Sequence, residues 1–278
     1  MIHKMEISEE YGSLVGFTAL APLAVGGLVG LLAASNSRQA SGVDWAAMVV
    51  LSTGLLALVI SLFHLGRPWR APLALMRLAS SWLSREVILF GLFLLTLGCY
   101  AILPLLNPAS LSRYILGLVG ATIGLVGTVA TGATYRLHAR PSWDQWLTIV
   151  SFPLGALSTG SLFGFFVARQ FTISSEITGY AWGGVALLLV LAAAVTWLRS
   201  TSQHPEIREA RLSRQLALGS YLWLFIARVV AVAAALAVIG MGGEAMFFAW
   251  IPALLGEFAD RFLFFKTVVP VTFRGRYL

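Results

Sequence analysis

Apolar residues run in eight long blocks along this chain, separated by short polar connections. The blocks span 12–34, 45–64, 86–106, 112–135, 148–168, 180–198, 219–240 and 244–266. Each is close to the ~20 residues a helix needs to cross a bilayer core. Their apolarity is continuous, unlike the alternating ~10-residue strands of an outer-membrane barrel. Backbone groups in lipid must be satisfied internally, so the blocks are predicted as helices. The predicted fold is all-α: one polytopic membrane domain over 1–278, a bundle of eight transmembrane helices.

Composition narrows the class further. Charged residues make up 11% of the chain and hydrophobic ones 58%. A soluble domain carries about 25% charge, so a water-facing surface cannot be covered here. The first block follows an acidic start (Glu6, Glu9, Glu10) and lacks the basic leader of a cleaved signal, so it is expected to be retained. Cys99 is the single cysteine. One thiol makes neither an internal disulfide nor a cysteine-ligated iron–sulfur cluster.

The cations divide unevenly between the two faces that eight spans define. Fifteen of the 19 lysines and arginines fall on the face of the N-terminus, the even-numbered connections and the C-terminus. Arg38, Arg113 and Arg169 fall on the other, and Arg228 lies within span seven. By the positive-inside rule both termini are predicted to be cytoplasmic, in the inner membrane of a bacterium. Headgroup-level topology accounts for most of these arginines.

The connections differ in character. Residues 136–147 are basic and carry Trp143 and Trp146, which suit an interfacial belt. After Pro205 the charged stretch predicts a short surface helix with Glu–Arg pairs at helical spacing. Gly26, Gly27 and Gly30 in span one, and Gly120-x-x-x-Gly124 in span four, fit close helix packing. The sequence has no phosphate loop and no dinucleotide fingerprint.

The densest polar patch is 64–86, with His64, Arg67, Arg70, Arg77, Arg85 and Glu86 between two apolar runs. Charge at a membrane edge must be paired, wetted or useful. Imidazole can hydrogen-bond a quinone carbonyl and exchange a proton, and a carboxylate at the same depth can take a second one. Arg67, Arg70 and Arg77 can orient a headgroup or hold Glu86 ionised, and Trp69 and Trp82 can wall a ring. The same residues also suit a plain Glu–Arg pair with a snorkelling histidine. His64 and His138 offer a second alternative, haem ligation, which a loop position for His138 weakens. No ligand spacing suggests a metal site. Arg228 in span seven and Glu257 in span eight are candidates for an inter-helix pair. Asp260 and Arg261 lie beside Glu257.

The run His64-Leu65-Gly66-x-Pro68-x-Arg70-Ala71, followed by Arg77 and Ser84-x-Glu86, resembles the membrane anchor subunit of the anaerobic dimethyl sulfoxide reductase family (DmsC-like). Pro141-x-Trp143 and Gly256-Glu257-x-x-x-Arg261 agree with it. The resemblance implies an anchor that exchanges electrons between quinone or quinol (menaquinone or ubiquinone) and an iron–sulfur subunit. That subunit in turn serves a molybdopterin catalytic subunit. It also implies no haem in the anchor, and it carries the quinol-site roles onto His64 and Glu86. Arg67 departs from the family pattern. Trp69, Trp82, Trp143, Arg228, Glu257 and Arg261 are expected to support the site. Spans five to seven match poorly, which leaves a reductase and a sulfite-oxidising complex both open. A passive scaffold and a transporter are the competing classes. A transporter predicts mid-depth charges and helices broken at matching places in two halves. With the site on the cytoplasmic face, the partner subunits are expected there too, because a ~30 Å core would slow electron tunnelling.

Overall fold

A computed structural model describes residues 2–34, 44–63, 78–105, 111–171, 177, 179–202 and 206–271, apart from the side chains of 2–10 and 111. Among the described residues ten α-helices follow one another: α1 (Ile2–Ala34), α2 (Trp45–Leu62), α3 (Trp82–Ile102), α4 (Leu111–Thr134), α5 (Trp146–Gly155), α6 (Ser161–Phe171), α7 (Gly179–Thr201), α8 (Arg208–Leu218), α9 (Leu222–Met241) and α10 (Trp250–Lys266). No strand occurs among the described residues. The protein is an all-α polytopic membrane protein, as the apolar blocks predict.

Seven spans among the described residues are long and apolar enough to cross a membrane. The fifth of them, Trp146–Phe171, consists of α5 and α6 joined through a wide π turn at Ala156–Gly160. Pro153 has no N–H to give the helix, and the Ala156 N–H reaches both the Phe152 and Pro153 carbonyls. The predicted eighth span is a 3-10 turn, Ala245–Ala249, running into α10. At 17 residues with Glu257, Asp260, Arg261 and Lys266, α10 is shorter and more charged than the seven. It packs against α9 and α1, which completes the eight-helix bundle.

α1 is the helix around which the others close. It packs against α2, α4, α5, α6 and α10, and Ala24, Val25 and Leu28 on it are fully buried. The crossing with α6 depends on missing side chains. A Cβ on Gly26 would lie 2.7 Å from the Gly160 Cα, and one on Gly30 would lie 2.9 Å from the Gly164 Cα. Gly120 and Gly124 of α4 admit Thr96 and Phe93 of α3 in the same way. Both predicted glycine faces are therefore packing faces.

On the face opposite Glu86, Asp44 joins three helices. Its carboxylate caps α2 by accepting from the Ala47 N–H at 3.0 Å, and its own N–H donates to the Ala101 carbonyl. It also pairs with the buried Arg113 of α4, which lies over the Tyr100 ring. In the turn before α10, the exposed Glu244 is held below the usual carboxylate range by the hydrogen bond it accepts from Arg169.

The surface helix expected after Pro205 is α8. Ala210, Ser213 and Ala217 form its buried side, and the Ser213 hydroxyl accepts from the Val269 N–H at 3.0 Å. The Glu–Arg pairing expected within the helix does not form at Glu209, which makes no ion pair among the described residues. Its neighbouring arginines point out to solvent instead.

Candidate functional site

Glu86 lies just past the first turn of α3, whose N-cap Ser81 accepts from the Ser84 N–H. It is 5% exposed. Two hydroxyls from the last turn of α4 reach its carboxylate: Thr131 Oγ1 at 2.8 Å and Thr134 Oγ1 at 3.1 Å. Each hydroxyl also lies within hydrogen-bond reach of a carbonyl one turn back, Gly127 at 3.2 Å and Ala130 at 3.0 Å. A threonine has one proton and two lone pairs. With Glu86 ionised, both hydroxyls donate to the carboxylate. With Glu86 protonated, its O–H donates to a hydroxyl, and that hydroxyl donates to its own helix carbonyl. The pocket thus satisfies both protonation states without rearranging the backbone.

The residues just before Glu86 are pinned by Arg85. Its Nε donates to the Leu78 carbonyl at 3.0 Å and its Nη2 to the Ala79 carbonyl at 2.8 Å. The same guanidinium stacks 4.4 Å over Trp82, which is half exposed. Trp82 is therefore a surface ring paired with Arg85. His64, Arg67, Trp69, Arg70 and Arg77 lie outside the described residues. Of the residues that flank that segment, Phe63 caps the C-terminus of α2 and Leu78 lies in the turn before α3.

Next to this pocket is a cluster of buried charges drawn from α7, α9 and α10. Arg228 Nη2 lies 3.3 Å from Glu257 Oε2, which is the inter-helix pair expected from sequence. Arg261 pairs with Glu257 one turn earlier on the same helix. Arg199 donates to Asp260 at 2.7 Å, and Thr196 donates to the same oxygen at 2.8 Å. Arg261 also lies 3.8 Å from Asp260. None of the five charged side chains is more than 3% exposed. Ser151 of α5 closes the cluster by accepting from Arg199 at 3.1 Å. The Glu257 carboxylate rests on Gly155, where a Cβ would come within 2.5 Å of Oε1. The helix break after Pro153 and this glycine therefore make room for a carboxylate.

Aromatic rings connect the two groups. Arg261 lies 4.0 Å over Phe152, and Phe152 stacks on Tyr135 at 5.8 Å. Tyr135 follows Thr134, the second partner of Glu86, at the end of α4. Trp143 packs edge-on to Tyr135 and stacks on Phe264 at 4.8 Å. At 2% exposure, with its N–H donating to the Phe264 carbonyl at 3.0 Å, Trp143 is not a belt residue. The large apolar ring is worth more inside this cluster than at the interface. Trp146 is exposed, as expected for a belt. His138 lies at the surface on Asp144, 2.8 Å away.

Sequence reasoning missed Thr131, Thr134, Tyr135, Ser151 and Arg199. The hydroxyls at 131 and 134, one turn apart at a span end, were the available signal. Arg199 carried none, because a cation at the end of a span reads as topology.

A model of the DMSO reductase anchor subunit (DmsC) family matches residues 5–265. An anaerobic dimethyl sulfoxide reductase chain of Haemophilus influenzae is 31% identical over 153 residues, covering 53% of this chain and 54% of that protein. The anaerobic dimethyl sulfoxide reductase chain YnfH of Escherichia coli is 25% identical over 205 residues, 71% of this chain and 72% of that protein. A sulfite dehydrogenase subunit of Allochromatium vinosum is 29% identical over 176 residues, 56% of this chain and 51% of that protein. The matches to the Haemophilus and Allochromatium proteins thus span about half of their lengths.

Proposed function

The chain belongs to the DMSO reductase anchor subunit (DmsC) family, and from that premise we propose that it is the quinone-reactive membrane anchor of a molybdopterin oxidoreductase complex. The supporting observation is the Glu86 pocket: a buried carboxylate at one membrane face, solvated by two hydroxyls that serve it in either protonation state. Such a group can accept a proton and return it at low reorganisation cost.

The substrate is a quinol, which releases two electrons and two protons on oxidation. The electrons pass to an iron–sulfur subunit and from there to a molybdopterin subunit. Glu86 takes one proton and His64 the other, and the reverse sequence reduces a quinone. Arg67, Arg70 and Arg77 orient the headgroup. The anchor itself carries no haem. The Glu86 face is cytoplasmic in this reading, and the partner subunits dock there. The relatives' names divide between dimethyl sulfoxide reductase and sulfite dehydrogenase, so the two electron directions correspond to the two classes of complex.

The test is quinol-analogue binding and quinol-driven reduction of the iron–sulfur clusters in the purified complex, with an absorption spectrum of each sample. Glu86→Gln and His64→Ala are expected to lower cluster reduction at least about tenfold while the subunits still co-purify. A passive scaffold would leave both readouts unchanged. A b-type spectrum lost in His64→Ala would make that histidine a haem ligand instead.

A further inference from the structure

The outer side of α8 carries a groove of about 460 Å³ lined by Arg211, Arg214, Gln215, Leu218 and Gly219. The two arginines are three residues apart, so they share one side of the helix. Both are exposed, and neither forms an ion pair with a described carboxylate. Glu209, the acid within the helix, leaves them free. Leu218 and Gly219 give the groove an apolar end where the backbone turns into α9. Four residues past Gly219 begins a stripe of exposed apolar side chains on α9: Trp223, Ile226 and Val230. These recur at helical spacing along a membrane-spanning helix. A paired cationic site thus stands a few residues of chain before an exposed apolar stripe on a membrane-spanning helix, and that stripe opens with a tryptophan of the kind that anchors at the interface.

We propose that this groove is a binding site for an anionic glycerophospholipid, its phosphate held by Arg211 and Arg214 and its acyl chain lying along Trp223, Ile226 and Val230. Planar guanidiniums suit bidentate contact with phosphate oxygens. The Gln215 amide adds a neutral donor beside them. A soluble acidic protein would match the arginines but leave the tryptophan and the aliphatic stripe unused. Free phosphate would match the arginines alone.

The experiment is native mass spectrometry of the detergent-purified complex exposed to phosphatidylglycerol or phosphatidylcholine, paired with thermal denaturation in each lipid and in inorganic phosphate. The wild type is expected to retain phosphatidylglycerol in preference to phosphatidylcholine and to melt higher in its presence. In the Arg211→Gln/Arg214→Gln double variant, retention is expected to weaken about tenfold or more. Arg208→Gln, on the same helix but outside the groove, is expected to behave as the wild type, which separates a site from general surface charge. Equal retention by wild type and double variant would overturn the proposal, as would equal stabilisation by inorganic phosphate. A double variant that sheds the partner subunits while keeping its lipid would overturn it in favour of a protein-docking surface.

Discussion

At Glu86 the decisive detail is that each threonine hydroxyl has a second acceptor within reach. Replacing both hydroxyls with methyls keeps the shape and removes the solvation. Thr131→Val/Thr134→Val is therefore expected to assemble yet lose quinol-driven cluster reduction, with a stability cost of about 1–3 kcal/mol for the unsatisfied carboxylate. Full activity in that variant would remove these hydroxyls from the chemistry. The charge cluster obeys different arithmetic. Deleting one partner of a buried ion pair typically costs about 3–5 kcal/mol, because the other charge is stranded. Glu257→Ala would strand both Arg228 and Arg261, and its melting temperature in detergent is expected to fall well below that of Glu257→Gln, which keeps a hydrogen-bond acceptor. The Arg228–Glu257 pair was legible in sequence because an arginine mid-span demands a counter-charge. The Arg199–Asp260 pair was not, since both residues sit near span ends where solvent or headgroups serve as well.

Among the elements, the fifth span carries the most local information. Pro153, the π turn and Gly155 together let a carboxylate from α10 approach its backbone. Gly155→Ala is expected to displace Glu257 and to lower the melting temperature, a loss that Glu257→Gln would not add to in the double variant if the two act through one contact. Proline and glycine were visible in the sequence, but their purpose was not, because the group they admit comes from a helix about a hundred residues later. Trp143 shows the same limit. A tryptophan in a basic connection reads as a belt residue until the rings of Tyr135 and Phe264 are seen to enclose it. On the opposite face, Arg169 and Glu244 tie α6 to the turn before α10. The Glu244 carboxyl is held low, so this contact contributes above the ordinary carboxylate range and is lost as pH falls through the lowered one. The melting-temperature gap between wild type and Glu244→Gln is expected to close over that acidic window.

For the whole molecule, the eight apolar blocks match the helices to within a few residues, save that α1 starts earlier, at Ile2, and the fifth block is split between α5 and α6. Periodicity could not show which helix takes the centre, because nearly every span is apolar all round. That position follows from glycines that let α1 and α6 approach to backbone contact. Likewise α10 falls short of an ordinary span in length, since its charges are matched by other helices and not by water.

The central place of α1 bears on how the protein is made. Of these helices it leaves the ribosome first, yet its glycine-lined side is closed by the span that holds α6, after three intervening spans have been synthesised. Until then that side faces lipid or an insertion chaperone. A bulky residue at Gly26 or Gly30 would therefore let translation and insertion of the early segments proceed and fail only at closure, leaving a full-length polypeptide in the membrane that quality-control proteases can reach.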